Sequence, residues 1–155
     1  MQYRESLVYL GSSAGGPTVL PANLKTIRLI TNDGLCQLAN IVKKTEDTTH
    51  GIAVVLTPDC TDTRQAGVLV ETHDVDAETQ ELYFKNSVPS DTATQTDGEG
   101  AVGWFNLPAP SSVTFTTRLL TPACTATQAA CPQIGTATVY TRPSCLTYVH
   151  VGPSP

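Results

Sequence analysis

The tightest constraint on how this chain can fold is residues 94–119, TQTDGEGAVGWFNLPAPSSVTFTTRL. Asp97-Gly98-Glu99-Gly100 reverses the chain, because glycine takes positive φ without steric cost and an Asp side chain bonds nearby backbone. Residues 94–96 are expected to finish one strand and residues 101–106 to return as the next. The two-residue period then points Val102 and Trp104 to one face. After the corner Leu107-Pro108-Ala109-Pro110, Val113, Phe115, Thr117 and Leu119 repeat the pattern. Alternation of this kind belongs to two facing sheets, with Val102 and Trp104 filling the space between them.

The rest of the chain fits that expectation. Its 155 residues suit one ordinary domain, and charged residues make up only 15%, a balance that favours short strands and turns over long helices. Seven or eight short strands at roughly ten-residue spacing predict an all-β, antiparallel Greek-key sandwich. Strands are expected within 4–11, 25–30, 52–56, 67–70, 82–84, 135–141 and 146–151. Residues 34–44 hold the one helix, where Leu35, Leu38, Ala39 and Val42 share a face behind an N-cap at Asn32 or Asp33. Two regions follow: residues 1–45, an extension with short strands and that helix, expected to end a preceding domain, and residues 46–153, the sandwich.

A net charge of -5 with no stripe of Lys and Arg argues against nucleic acid as a partner. Five cysteines without a CxxC pair read as disulfides of an oxidising compartment rather than as zinc ligands. Cys124 and Cys131 bracket a loop short enough to close if their Cα atoms approach to about 6 Å. Cys60 with Cys145 is the second candidate pair. No signal peptide or membrane span is visible, so an extracytoplasmic chain of this sequence is expected to be part of a longer exported protein.

Residues 51–153 resemble a carboxypeptidase regulatory-like domain, a transthyretin-type sandwich of exported bacterial proteins. The resemblance is carried by Ala66-Gly67-Val68-Leu69-Val70, by Thr96-Asp97-Gly98-Glu99-Gly100, and by Val102, Trp104, Asn106, Leu107 and Pro108. Gly51, Asp59-Cys60 and Arg142-Pro143 are similar to the uncharacterised secreted variants of myxobacteria. The resemblance implies a structural or interaction module appended to a larger exported chain, without an active site. Related transthyretin-like hydrolases carry a His and Arg cluster and a Tyr-Arg-Gly-Ser end, whereas this chain ends Gly-Pro-Ser-Pro.

The chemistry-bearing residues give the competing expectations. Asp97 and Glu99, joined by Asp91, are the weak candidates for calcium, a hard cation that takes carboxylate and carbonyl oxygens from tight turns; no other cofactor is expected. His73 beside Asp74 and Asp76 would be a metal or general-base site only if the three converged, and the favoured reading is a solvated loop. A hydrolase would need His50, His73 and His150 together; His50 is expected as an exposed turn residue and His150 at an edge or surface. Cys60 is expected in a bridge, not as a nucleophile. Tyr83, Phe84, Trp104, Phe105 and Tyr148 either line a sugar platform or fill the core. The alternatives to a passive module are therefore carbohydrate- or calcium-dependent binding at the cell surface, and self-assembly by addition of residues 4–10 or 146–151 as a strand to a neighbour. Partners are expected among domains of the parent chain, surface proteins or glycans.

Overall fold

A computed structural model describes residues 6–9, 38–41, 43–59, 61, 63–124 and 130–153. Nine strands occur among them: β1 Ser6–Tyr9, β2 Gly51–Leu56, β3 Val68–Glu71, β4 Gln80–Lys85, β5 Val88–Ser90, β6 Ala101–Leu107, β7 Ser111–Leu119, β8 Gln133–Thr141 and β9 Leu146–His150. They form a six-stranded sheet in the order β1-β9-β2-β6-β4-β5 and a three-stranded sheet in the order β3-β7-β8. The molecule is the all-β sandwich that the alternation predicts. Residues 38–41 are helical, and Lys43 at φ 54° follows them. The strand expected at 25–30 lies outside the described residues.

Val102 and Trp104 stand on the face that the alternation predicts. Both are buried between the sheets with Ala53, Val55, Tyr83 and Val149 of the larger sheet and Val68, Val70, Val113, Phe115 and Val139 of the smaller one. The rings of Trp104 and Phe115 stand 4.9 Å apart at 48°, a tilted arrangement suited to the aromatic quadrupoles. A second cluster, Ile52, Val54, Leu82, Phe105 and Leu146 with Leu38, covers the opposite face of the six-stranded sheet.

The structure departs from the simple sequence pattern in three places. Residues 94–96 and 101–106 do not form a hairpin, since β6 pairs with β2 and β4. Thr96 instead bonds across to β3: its N–H reaches Val68 O at 3.0 Å and its carbonyl accepts from Gly67 N at 2.8 Å. Between Gly51 and Ala53 the β2–β6 register shifts, and Asn106 sits at φ 55°. This bulge sends Trp104 and Leu107 into the same interior, where simple alternation would separate them. Finally, β9 is an interior strand, parallel to both β2 and β1. Its backbone is already paired on both sides, so residues 146–151 cannot add to a neighbour. The chain reaches β9 by crossing from the other sheet, which frees it from the antiparallel rule of hairpin neighbours.

The turn at 97–100 is built as its residues require. Gly100 takes φ +55°, and a Cβ there would stand 2.9 Å from Gln65 N. Its N–H donates to Asp97 O at 2.9 Å, and its carbonyl accepts from Thr57 N at 2.8 Å. Cys124 and Cys131 form a disulfide with Cα atoms 4.9 Å apart, and with Leu69 and Leu120 they make a small apolar cluster. Cys145 is buried, while Cys60, its expected mate, lies outside the described residues.

Candidate functional site

Between β3 and β4 the sheets open into a groove of about 500 Å3, lined by Glu71, His73, Asp76, Glu81, Asp91 and Trp104 among others. Its floor is positioned by β4 and β6, where Glu81 pairs with Trp104 and Tyr83 with Val102. The Tyr83 hydroxyl accepts from Val70 N at 3.2 Å. Burial raises the pKa of the Glu81 carboxyl and, as the largest cause, that of the Tyr83 phenol. Arg118 Nε donates to Glu71 Oε2 at 2.9 Å and Arg118 Nη1 to Cys131 O at 3.1 Å, so the Glu71 carboxylate on the rim is already paired.

A polar clasp closes one end of the groove. His50 Nδ1 stands 2.9 Å from Asp47 Oδ2 and His50 Nε2 stands 2.9 Å from Asp76 Oδ2. The hydrogen bond to Asp76 is the largest cause holding the His50 pKa above its ordinary value, and the same bond is the largest cause lowering that of Asp76. Asp47 is lowered chiefly by its bond from Thr49. Asn106 joins the clasp from β6: its Oδ1 accepts from Asp47 N at 3.0 Å, its Nδ2 donates to Thr45 O at 2.9 Å, and its carbonyl accepts from Thr79 Oγ1 at 2.9 Å. Asn106 is 1% exposed. With both ring nitrogens held by carboxylates, His50 has none left to take a proton from a ligand.

His50 is thus a correction: the expected exposed turn residue has a side chain only 16% exposed. Its signal in the sequence was the acidic run at 71–78, whose carboxylates anchor loops instead of facing water alone. Asp74 Oδ2 accepts from Thr114 N at 2.8 Å, and Asp76 Oδ1 accepts from Glu78 N at 3.0 Å. His73 is exposed on the loop after β3. His150 pairs with Leu56 at the far end of β2 from His50, about 20 Å away along the strand. The three histidines do not meet.

The calcium candidates are also accounted for. Asp97 Oδ2 accepts from Asn86 N at 2.7 Å and Asp97 Oδ1 from Glu99 N at 2.8 Å, while Glu99 Oε1 accepts from Ser87 Oγ at 3.1 Å. These bonds brace the β4–β5 turn, where Asn86 and Ser87 have φ of 52° and 64°, the pair of positive angles a type I′ turn needs. Among the described residues no group of three or more His, Cys, Asp or Glu is placed to hold a metal ion; Asp91 does not join Asp97 and Glu99 in one. The aromatic residues follow the core reading and not the sugar platform. Tyr83, Trp104 and Phe105 are buried, and Phe84 and Tyr148 pack against the outer cluster, because a sheet covered on both faces needs its rings inside.

Fold and site together define an all-β sandwich module whose polar groups tie its loops. No family profile matches the chain, and no curated protein matches it. Among solved structures, a streptococcal ancillary pilin is similar at 16% identity with a TM-score of 0.38, over 72% of this chain and 34% of that one. The chain spans about a third of the length of that pilin. Among the described residues no helix is long and apolar enough to cross a membrane.

Proposed function

We propose that the chain is a non-enzymatic, extracytoplasmic structural or interaction module of a larger exported protein, of the carboxypeptidase regulatory-like kind that its Thr-Asp-Gly turn and Asn-Leu-Pro corner resemble. The observation that carries this reading is the use made of the histidine and carboxylate side chains of the clasp and the turns. His50, Asp47, Asp74, Asp76, Asp97 and Glu99 all bond to the protein's own loops. The Cys124–Cys131 disulfide supports an oxidising compartment.

The test is to recover the chain from its natural cells, fractionate them, and alkylate without reductant before mass analysis. Cys124 and Cys131 are expected unalkylated, in chain found outside the cytoplasmic fraction. A cytoplasmic chain with both thiols alkylated ends the reading. Turnover of simple ester or amide substrates, abolished by His50→Ala, would end its non-enzymatic part.

A further inference from the structure

The groove between β3 and β4 holds a side chain that the core does not explain. On β4 the two-residue period puts Glu81 on the same face as Tyr83, and Glu81 stands opposite Trp104 in the β4–β6 register. Tyr83 and Trp104 are buried between the sheets, so a carboxylate takes the next inward position, open to solvent at the mouth of the groove. Burial first, and then the charge of Glu71 on β3, raise its pKa. An inward carboxylate with a like charge nearby breaks the local rules of a sandwich core, and such breaks cluster at functional positions.

Two neighbouring carboxylates are answered from within the protein. Glu71 Oε2 lies 2.9 Å from Arg118 Nε, and Asp76 Oδ2 lies 2.9 Å from His50 Nε2. Among the described residues Glu81 and Asp91 have no such salt bridge. Both line the groove, no Lys or Arg lines it with them, and the base on its wall is His73. Val70, Val75 and Ala93 set apolar ground beside the carboxylates.

From these observations we infer that the groove is a docking site and that its occupant is an arginine-bearing segment of a partner protein. Charge complementarity selects that occupant: an acidic groove lined by no Lys or Arg, on a chain of net charge -5, attracts a basic partner. A bare metal ion fits less well, because among the described residues no three of these side chains are placed to hold one. A guanidinium is planar and weakly hydrated; its fork of N–H groups suits carboxylates, and its stem suits the valines beside them. The groove's volume of about 500 Å3 falls in the range of ligand sites, roughly 300–1,000 Å3, and suits a short peptide better than one side chain. The inference deepens the reading of the chain as an interaction module and rests on it.

Proton–nitrogen NMR of the full chain titrated with the peptide acetyl-Gly-Arg-Val-Arg-Gly-amide tests the inference. Saturable shifts are expected within 70–83 and 91–94, with a Kd on the order of 1 mM or tighter; the same peptide with Gln for Arg gives none. Glu81→Gln with Asp91→Asn weakens binding at least about fivefold. Asp59→Asn with Glu99→Gln removes as many charges outside the groove and leaves binding within about twofold. No saturation by about 10 mM peptide, shifts confined to other residues, or equal weakening by the two double variants overturns the inference. So does unchanged binding by the groove variant, which would make Glu81 an inward charge that only deters edge pairing. Calcium or spermidine binding the same residues more tightly than the peptide overturns it too, since the site then belongs to an ion or a free amine. Should the groove variant fail to fold, the contrast between the Arg and Gln peptides on the unaltered chain decides. A chain that binds no peptide, yet carries oxidised Cys124 and Cys131 outside the cytoplasm, sinks the docking site and leaves the module reading standing.

Discussion

The two sheets bury themselves differently, and their sequences show it. In the six-stranded sheet, β2 is GIAVVL and β6 is AVGWFNL, nearly continuous apolar runs with nearly every residue buried. In the three-stranded sheet, β7 and β8 alternate, with Val113, Phe115, Thr117 and Val139 inward and Ser112, Thr136, Thr138 and Tyr140 outward. A strand covered on both faces has no reason to alternate, whereas one with a wet face must. The smaller sheet buries an outward residue at Leu69, against Cys124 and Cys131. The larger sheet is thus a middle layer and the smaller one a lid.

The sharpest way to break that comparison is to open a hole on each side of the middle layer. Phe115 projects from the lid onto the inner face of the middle layer and Phe105 lies on that layer's outer face, yet both are 0% exposed. Phe105→Ala and Phe115→Ala should each lower stability by about 3–5 kcal/mol in urea unfolding. If Phe105→Ala is nearly neutral, the outer cluster is only loosely covered and the larger sheet has one working face.

The joint between strand and bulge comes next. Asn106 makes two side-chain hydrogen bonds and occupies a left-handed backbone position. Asn106→Ala loses both features and should cost about 2–3 kcal/mol, while Asn106→Gly restores the backbone and should recover about 1 kcal/mol of that. Equal losses for the two variants would show that the angle carries no strain and that the side-chain bonds alone hold the bulge.

The part of this architecture legible in the sequence is the part governed by local period. Val102, Trp104, Val113 and Phe115 declared their side by alternation, and Cys124 and Cys131 their bond by spacing. What was hidden depends on distant partners. The bulge at Asn106 reverses the parity of Leu107, and contacts to Thr45, Asp47 and Thr79 hold it. Thr96 looked like the end of a hairpin because a glycine turn follows it, while its partner, Val68, lies in the other sheet. His50 looked exposed because Asp76, which holds it, comes 26 residues later.

A smaller effect separates the buried threonines of the interior. Thr57, Thr117 and Thr141 all donate to backbone carbonyls, but Thr147 Oγ1 is buried without a hydrogen-bond partner. It lies beside Ala53 in the β2–β9 register, on the face of the middle layer turned toward the lid. Thr147→Val keeps the shape and removes the orphan hydroxyl, so it should raise stability by about 1 kcal/mol. Thermal melting that shows a loss instead would mean that water reaches this part of the interior.

The least of these effects concerns the loop 72–79, which carries the chain from the lid to the middle layer and is held by the clasp. His50 faces Asp47 and Asp76, with Lys44 Nζ 3.4 Å from Glu78 Oε2 nearby on the same loop. Because the folded His50 pKa is raised above 6.5, its contribution is fully present below that value and is lost as pH rises through the folded pKa. Asp47 and Asp76 have depressed values, so their contributions hold above about pH 4 and are lost as pH falls further. The clasp is therefore strongest in mildly acidic solution. Solvent screening keeps the loss on the neutral-to-alkaline side to about half a kcal/mol. Stability measured from pH 5 to 9 should show that step in the unaltered chain and lack it in His50→Gln. A proton NMR titration placing the imidazole pKa at or below 6.5 would mean that the carboxylates position the ring without holding its charge, leaving the two cores alone to keep lid and middle layer together.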